Sequence, residues 1–334
     1  MIAPPWAPIP PSLYGGIEAV LDRLCVGLER AGHEVMLFTT GESTCPVPKQ
    51  FLLERSEGSR IGATVPELRH VIAGYEAARH FDVIHDHTML GPFYAERTPK
   101  AVVASTIHGP LDDEFGTVYA RMAERVSLVA ISNSQRASAP ELPVAAVIHH
   151  GLDVDQFPIG DGNGGYALFL GRMSPDKGAH RAVAAARKAG VPLKMAAKMR
   201  TPEEVSYFEK VIEPELGPDT QYLGEVEQDV KLELLAGARA LLFPIRWNEP
   251  FGMVMIEALA CGTPVLAFPE GSAPEVIDHG RTGFLCADEA EMADALGRVD
   301  TLDRRDCRAV VEGHFSTDRM VAEHLALFET LLSR

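Results

Sequence analysis

Short, continuously apolar runs alternate with amphipathic stretches through almost the whole of this 334-residue chain. A strand that is apolar at every position is buried on both faces. A chain that returns to such strands through helices builds a parallel sheet covered on both sides. The pattern predicts strands at Glu34–Thr40, Phe51–Glu54, Asp82–His87, Ala101–Thr106, Leu128–Ser132 and Val144–His149. Helices are predicted between them: Ile17, Val20, Leu21, Leu24, Cys25, Leu28 and Ala31 fall at helical spacing closed by Gly32. Val65–His80, a stretch near Asp112–Glu124 and a short helix from Ser134 follow.

A polar break at Gly151–Pro158 and the Gly-rich stretch 160–165 separates this series from a second one. There Tyr166–Leu170 reads as a strand, Gly171–Gly178 as a loop and Ala179–Ala189 as a helix; Leu193–Ala197, Gln221–Leu223, Ala240–Phe243 and Pro264–Phe268 read as further strands. Ser316–Leu332 closes the chain as a helix with Val321, Leu325, Phe328, Leu331 and Leu332 on one face. Length alone favours two domains. The reading is α/β throughout: two Rossmann-like parallel-sheet domains facing a cleft, over residues 1–151 and 152–315, followed by the helix 316–334. At the other end, Met1–Ala3 before a Pro-rich loop is too little for a strand, which usually runs ~5–6 residues. That points to a clipped or misassigned N-terminus.

Composition narrows the class. With 46% hydrophobic and 23% charged residues the chain reads as a globular protein, and no run approaches the ~18 apolar residues of a membrane span. Five widely spaced cysteines without a CxxC pair suit reduced thiols in the cytoplasm. The net charge of −16 argues against nucleic acid as a partner, and at most peripheral membrane contact is expected. Against that background, any pocket for a polyanion must concentrate its few cations locally.

Two stretches do so, or offer amides instead. In Gly171-Arg-Met-Ser-Pro-Asp-Lys-Gly178, between a strand and a helix, Arg172 can grip phosphate oxygens in a fork and Lys177 adds a point charge. The order is not that of a Walker loop. In Pro244–Glu257 the apolar run Ala240–Phe243 leads to Asn248, Glu249, Pro250 and Gly252, then a helix starting at Met253. Gly252 permits close backbone approach, and the amides after it attract an anion. Two acids, Glu249 before the helix and Glu257 inside it, suit hydroxyl groups. A ligand with an anionic centre and hydroxyls, such as a nucleotide sugar, fits both stretches.

These motifs, together with Gly262-Thr-Pro264, Pro274-Glu-Val276 and Gly280-Arg-Thr-Gly-Phe284, resemble family 4 of the retaining glycosyltransferases, which have the GT-B fold. The likeness covers nearly the whole chain and is strongest from Gly171 to Leu285. It implies sugar transfer from a nucleotide diphosphate donor, most often UDP-linked, with retention and without a metal or other cofactor. It implies that Arg172 and Lys177 neutralise the diphosphate, that Glu249 serves the donor sugar and that Glu257 binds the ribose. It implies that Phe251, Gly252, Met253 and Val254 form the turn whose amides meet sugar and phosphate. Gly15 and Gly16 match the glycine loop of the first domain, and His108 the histidine after a strand. The last helix should cross back onto the first domain. Glu225 and Val226, at a strand end, are placed to meet the base. The acceptor, a small molecule, glycan or lipid-linked sugar, should contact loops around Pro4–Tyr14, Met89–Arg97 and His108–Thr117.

Other readings compete. A sugar-nucleotide 2-epimerase could use Arg172 and Lys177, although the Glu249–Glu257 spacing favours transfer; a catalytically degenerate nucleotide-sugar-binding protein is the non-enzymatic alternative. A dehydrogenase is disfavoured, because Tyr14-Gly-Gly16 lacks the GxGxxG order. Asp153-Val-Asp155 and His85-Asp-His87 are each too few ligands for a metal site.

Overall fold

The computed structural model describes residues 1–334 apart from Ser12, Tyr14, Pro99 and Asp112. Tyr14 of the glycine loop and Asp112 at a predicted helix start therefore lie outside the described residues. The chain divides into two compact units, Met1–Gly151 with Thr317–Arg334, and Leu152–Ser316.

In the first unit, helix α1 (Gly16–Arg30) precedes strands β1 (Leu37–Thr39) and β2 (Lys49–Phe51), then helix α2 (Thr64–Ala78). Strands β3 (Val83–Asp86) and β4 (Val102–Thr106), helix α3 (Asp113–Met122), strand β5 (Ser127–Ala130), helix α4 (Asn133–Ala137) and strand β6 (Val144–Val147) follow. All pairings are parallel: β1 with β2, and β3, β4, β5 and β6 in series. Ile2 joins the two sets. It bridges Phe38 on one side and Asp86 on the other, with Ile2 N–H donating to His85 O (2.9 Å) and His87 N–H to Ile2 O (3.0 Å). Residues around Ile2 thus stand where a first strand belongs, and the spatial order becomes that of a doubly wound sheet.

The core packs Ile2, Phe38, Val71, Tyr75, Ile84 and Leu128 together. The terminal helix Thr317–Leu332 belongs to this unit and buries Met320, Val321, His324, Leu327, Phe328 and Leu331. It packs tightly on Gly27 of α1, where a Cβ would lie 2.4 Å from Val321 Cγ2.

The second unit runs β7 (Ala167–Arg172), α5 (Ala179–Ala189), β8 (Leu193–Lys198), α6 (Pro202–Tyr207), β9 (Thr220–Gly224), α7 (Gln228–Gly237), β10 (Ala240–Phe243) and α8 (Met253–Ala260). It ends in β11 (Val265–Ala267), α9 (Ala273–Val276), β12 (Gly283–Leu285), α10 (Glu289–Leu296) and α11 (Arg304–His314). The six strands pair in the order β12-β11-β10-β7-β8-β9, all parallel. Small side chains let α5 lie close on the sheet: Ala182, Ala185 and Ala186 are buried with Val183 among Phe169, Leu193 and Met195.

Two sequence readings need correction. The strand expected at Phe51–Glu54 lies at Lys49–Phe51, because its register is set by β1 (Leu37 opposite Lys49) while Phe51 and Leu52 remain exposed. An apolar run at a sheet edge carries no burial signal to mark its ends. Strand β12 was not foreseen: three residues are too few for periodicity. Gly283 opens it because a Cβ there would lie 1.9 Å from Val265 O. Among the described residues no helix is long and apolar enough to cross a membrane.

Glycine to alanine inside a helix normally stabilises by about 1 kcal/mol. Gly313→Ala in α11, with open space around it, should follow that rule. Gly27→Ala should instead destabilise by about 1–3 kcal/mol, since Val321 is β-branched and stiff. Urea unfolding of the two variants checks this; equal gains would mean that α1 and the terminal helix are not in contact at Gly27.

Candidate functional site

In the second unit β7 lies beside β10, although β8 and β9 intervene in the chain. The connections leaving β7 and β10 therefore wind to opposite faces and leave a crevice at their carboxyl ends, where open α/β sheets bind ligands. Arg172 is the last residue of β7, with Lys177 and Gly178 closing its loop. Glu249, Phe251 and Gly252 close the loop after β10.

Both loops end in the same device. Gly178 and Gly252 are left-handed (φ 79° and 74°), each stands immediately before a helix, and neither helix start has a side-chain cap. Uncapped first-turn amides favour an anion. A Cβ on Gly178 would lie 2.3 Å from Pro244 O on the neighbouring loop, so glycine also lets the loops meet. Arg181 stitches them, donating from Nε to Pro244 O (2.7 Å) and from Nη2 to Pro175 O and Asp176 O (3.1 Å each). On the far side Ser272 holds the second loop, its N–H donating to Glu249 O (3.1 Å) and its Oγ to Phe251 O (2.6 Å).

The charges are already paired. Lys177 donates to Glu249, both side chains being 14% exposed, and its ammonium lies 4.6 Å over the Trp247 ring. Arg172 is looser, 45% exposed, with Nη2 3.6 Å from Asp176 and Nη1 3.6 Å from Glu204. Those separations are ion pairs without hydrogen bonds, which leaves the guanidinium fork open to a bidentate partner. Phe251, Met253 and Val254 are buried, so what they can offer a ligand is backbone.

Glu257 sits one turn into α8, whose residues are all buried. Its Oε1 accepts from Lys231 Nζ of α7 (2.8 Å), while its buried Oε2 has no partner among the described residues. Lys231 escaped the sequence reading because nothing in α7 marks one lysine as facing α8. Trp247 lies inside Pro244–Glu257, but its contact with Lys177 has no sequence signature. Glu225 is exposed and Val226 half-buried after the edge strand β9, two strands from β7.

Gly15, Gly16 and His108 belong to the first unit. Gly15 caps α1, and a Cβ on it would lie 2.7 Å from Pro11. His108 follows β4 in a file of imidazoles: His87–His108 (5.1 Å between centroids) and His108–His150 (5.4 Å) are stacked, while His85–His87 (4.1 Å) and His85–His324 (5.0 Å) are tilted. His87 Nδ1 is 2.8 Å from His108 Nε2, and His87 Nε2 is 3.0 Å from Met1 Sδ. A thioether can only accept. His87 Nε2 is therefore the protonated nitrogen, its Nδ1 accepts from His108 Nε2–H, and His108 Nδ1 is left as a bare, buried acceptor. His85 turns elsewhere, to Thr106 Oγ1 (2.7 Å).

His87 and His108 border a cavity of about 460 Å³ with Trp6, Phe115 and Tyr119. Burial lowers the basicity of these imidazoles: His70, His108 and His324 are pushed down to about 4, and His85, His87 and His150 fall well below the usual histidine range. Neighbouring imidazoles depress His85, His87, His108 and His150 further. Asp86 moves the other way, to about 6, through burial. Asp155 is fully exposed, 3.8 Å from Arg308, and Asp153 accepts from Gln156 (3.2 Å). Among the described residues no group of three His, Cys, Asp or Glu is placed to hold a metal.

Residues 156–305 match the family described as Glycosyl transferases group 1, and residues 14–156 match Glycosyltransferase Family 4. The chain is 26% identical to glycogen synthase of Mycobacterium tuberculosis over 348 residues, spanning 87% of this chain and 83% of that one. Among solved structures it is similar to sucrose-phosphate synthase from Thermosynechococcus elongatus (TM-score 0.82, 19% identity, 99% and 98% of the two chains). It is also similar to Anabaena Alr3699/HepE in complex with UDP-glucose (TM-score 0.76, 18% identity, 100% and 98%). The fold is GT-B.

The imidazoles set a pH dependence. Their folded pKa values lie below the unfolded 6.5, so the unfolded chain binds more protons between pH 6.5 and about 4. Their stability contribution is complete above 6.5 and is lost as pH falls toward 4. Asp86 opposes this with one proton. Urea midpoints should fall steadily from pH 6.5 to 4; midpoints that stay level would contradict neutral burial of the file.

Proposed function

This chain belongs to family 4 of the glycosyltransferases, and on that premise we propose a retaining transferase that moves a sugar from a UDP-linked donor to a hydroxylated acceptor. The observation that carries the donor half is the pair of uncapped helix starts behind Gly178 and Gly252, side by side at the strand crossing with Arg172 and Lys177. That HepE is described in complex with UDP-glucose supports a uridine donor. Five buried, unbridged cysteines suit a reducing compartment, and we place the reaction in the cytoplasm.

The arriving diphosphate competes with Glu249 for Lys177 and takes the open fork of Arg172. Glu249, released, turns to the hydroxyls of the donor sugar. As the bond from the anomeric carbon to the phosphate oxygen breaks, negative charge grows on that oxygen. Arg172, Lys177 and the amides of Met253 and Val254 stabilise it with little rearrangement. The acceptor hydroxyl attacks from the face the phosphate leaves and passes its proton to a departing phosphate oxygen, so configuration is kept without a covalent enzyme adduct. Glu257, held by Lys231, keeps Oε2 for the ribose. His108 lines the cavity of the first unit and orients the substrate there.

Two variants separate the acids. Glu249→Ala should lower transfer about 100-fold or more while UDP binding is kept or strengthened. Glu257→Ala should weaken UDP binding about tenfold or more, the worth of a hydrogen bond to a charged group. Calorimetry with UDP and an assay of UDP released from UDP-glucose check both. The reverse pattern would exchange their roles, and no UDP binding to wild type would overturn the reading.

A further inference from the structure

The cavity beside His108 is unlike the second unit's crevice in its chemistry. Its walls are apolar and aromatic: Trp6, Ile17, Phe115 and Tyr119. Tyr119 is 5% exposed and so presents a ring that is fixed by its surroundings. No Lys or Arg is among the lining residues. The four residues outside the described set are Ser, Tyr, Pro and Asp, so none of them is a cation either.

The charge that is there is negative. Glu67 lines the cavity at 5% exposure, its Oε1 accepting from Met89 N (2.6 Å) and Leu90 N (3.2 Å). Asp86 lies behind it, bound to Tyr75 Oη (2.7 Å) and Thr88 N (2.7 Å). Besides the hydroxyls of Thr64, Thr88 and Thr106, the polar lining is His87 and His108, imidazoles linked to one another by a hydrogen bond. A phosphate or carboxylate entering here would lose water, meet a carboxylate and find no cation. A sugar or cyclitol ring would lay its C–H face on the aromatic walls and turn its hydroxyls to Glu67 and Thr64, which also line the cavity.

We propose that the ring occupying this cavity is uncharged and hydroxylated, a neutral saccharide or cyclitol unit, and that phosphorylated and carboxylated rings are rejected. Naming that ring the acceptor rests on the transfer reading above; its charge does not.

The chain has two tryptophans, and Trp247→Phe leaves Trp6 as the reporter. Titrate that variant with methyl glucoside, methyl mannoside, methyl galactoside and myo-inositol, each beside its monophosphate. A neutral probe should shift Trp6 emission saturably, with its phosphate about tenfold or more weaker. Phe115→Ala should weaken the neutral probe without lowering the melting temperature by more than the cavity it leaves. Phosphates bound as well as or better than their neutral partners, or Trp6 unmoved by every neutral probe, would overturn the proposal. UDP calorimetry on the wild-type protein, whose Trp247 is intact, keeps the two ideas apart: absent UDP binding sinks the transfer reading and leaves the Trp6 titration standing.

Discussion

An ammonium and a carboxylate that neutralise each other across two loops make the second unit's site stable when empty. Lys177 and Glu249 are both largely withdrawn from water, and either alone would carry an uncompensated charge. Trp247 covers the pair, Gly271 and Ser272 hold the backbone beneath Glu249, and Arg181 fixes the opposite loop. In a chain of net charge −16 an exposed cluster of cations would attract the protein's own acids. Here that attraction is used: Glu249 holds Lys177 between the two loops.

The two units share one topological device and fill it differently. Each has a doubly wound sheet with a crossing point, between β7 and β10 in one and between Ile2 and β3 in the other. At the first crossing stand uncapped helix starts, a guanidinium and an ammonium, all suited to negative charge. At the second stand aromatic rings, a buried carboxylate and neutral imidazoles, all indifferent or hostile to it. One sheet geometry therefore presents two surfaces of opposite chemistry.

Much of this was legible in the residues. Ala240–Phe243, Met253–Ala260 and Ala179–Ala189 fall where apolar runs and periodicity put them, because each is bounded by glycine or proline and buried on a full face. Arg172, Lys177, Glu249 and Glu257 stood out because a strand, a glycine turn and a helix start constrain what charged residues beside them can do. What could not be read was pairing. That Lys177 meets Glu249, that Lys231 meets Glu257, and that β7 lies beside β10 depend on strand order, which has no local signal. The strand shift at Lys49–Phe51 and the unforeseen Gly283–Leu285 share that origin: both are fixed by a neighbouring strand and not by their own composition. The imidazole file was half visible as His85-Asp-His87, but its extension through His108, His150 and His324 is purely tertiary.

If the carboxylate of Glu249 occupies the phosphate's place on Lys177, removing its charge should help the nucleotide rather than hinder it. UDP binding to Glu249→Gln, measured by calorimetry beside wild type at one salt concentration, tests this directly. The account predicts an affinity several-fold higher in the variant, because the diphosphate no longer competes with an internal anion for Lys177. A clear loss of affinity would contradict it, and would mean that Glu249 assists the diphosphate instead of standing in for it.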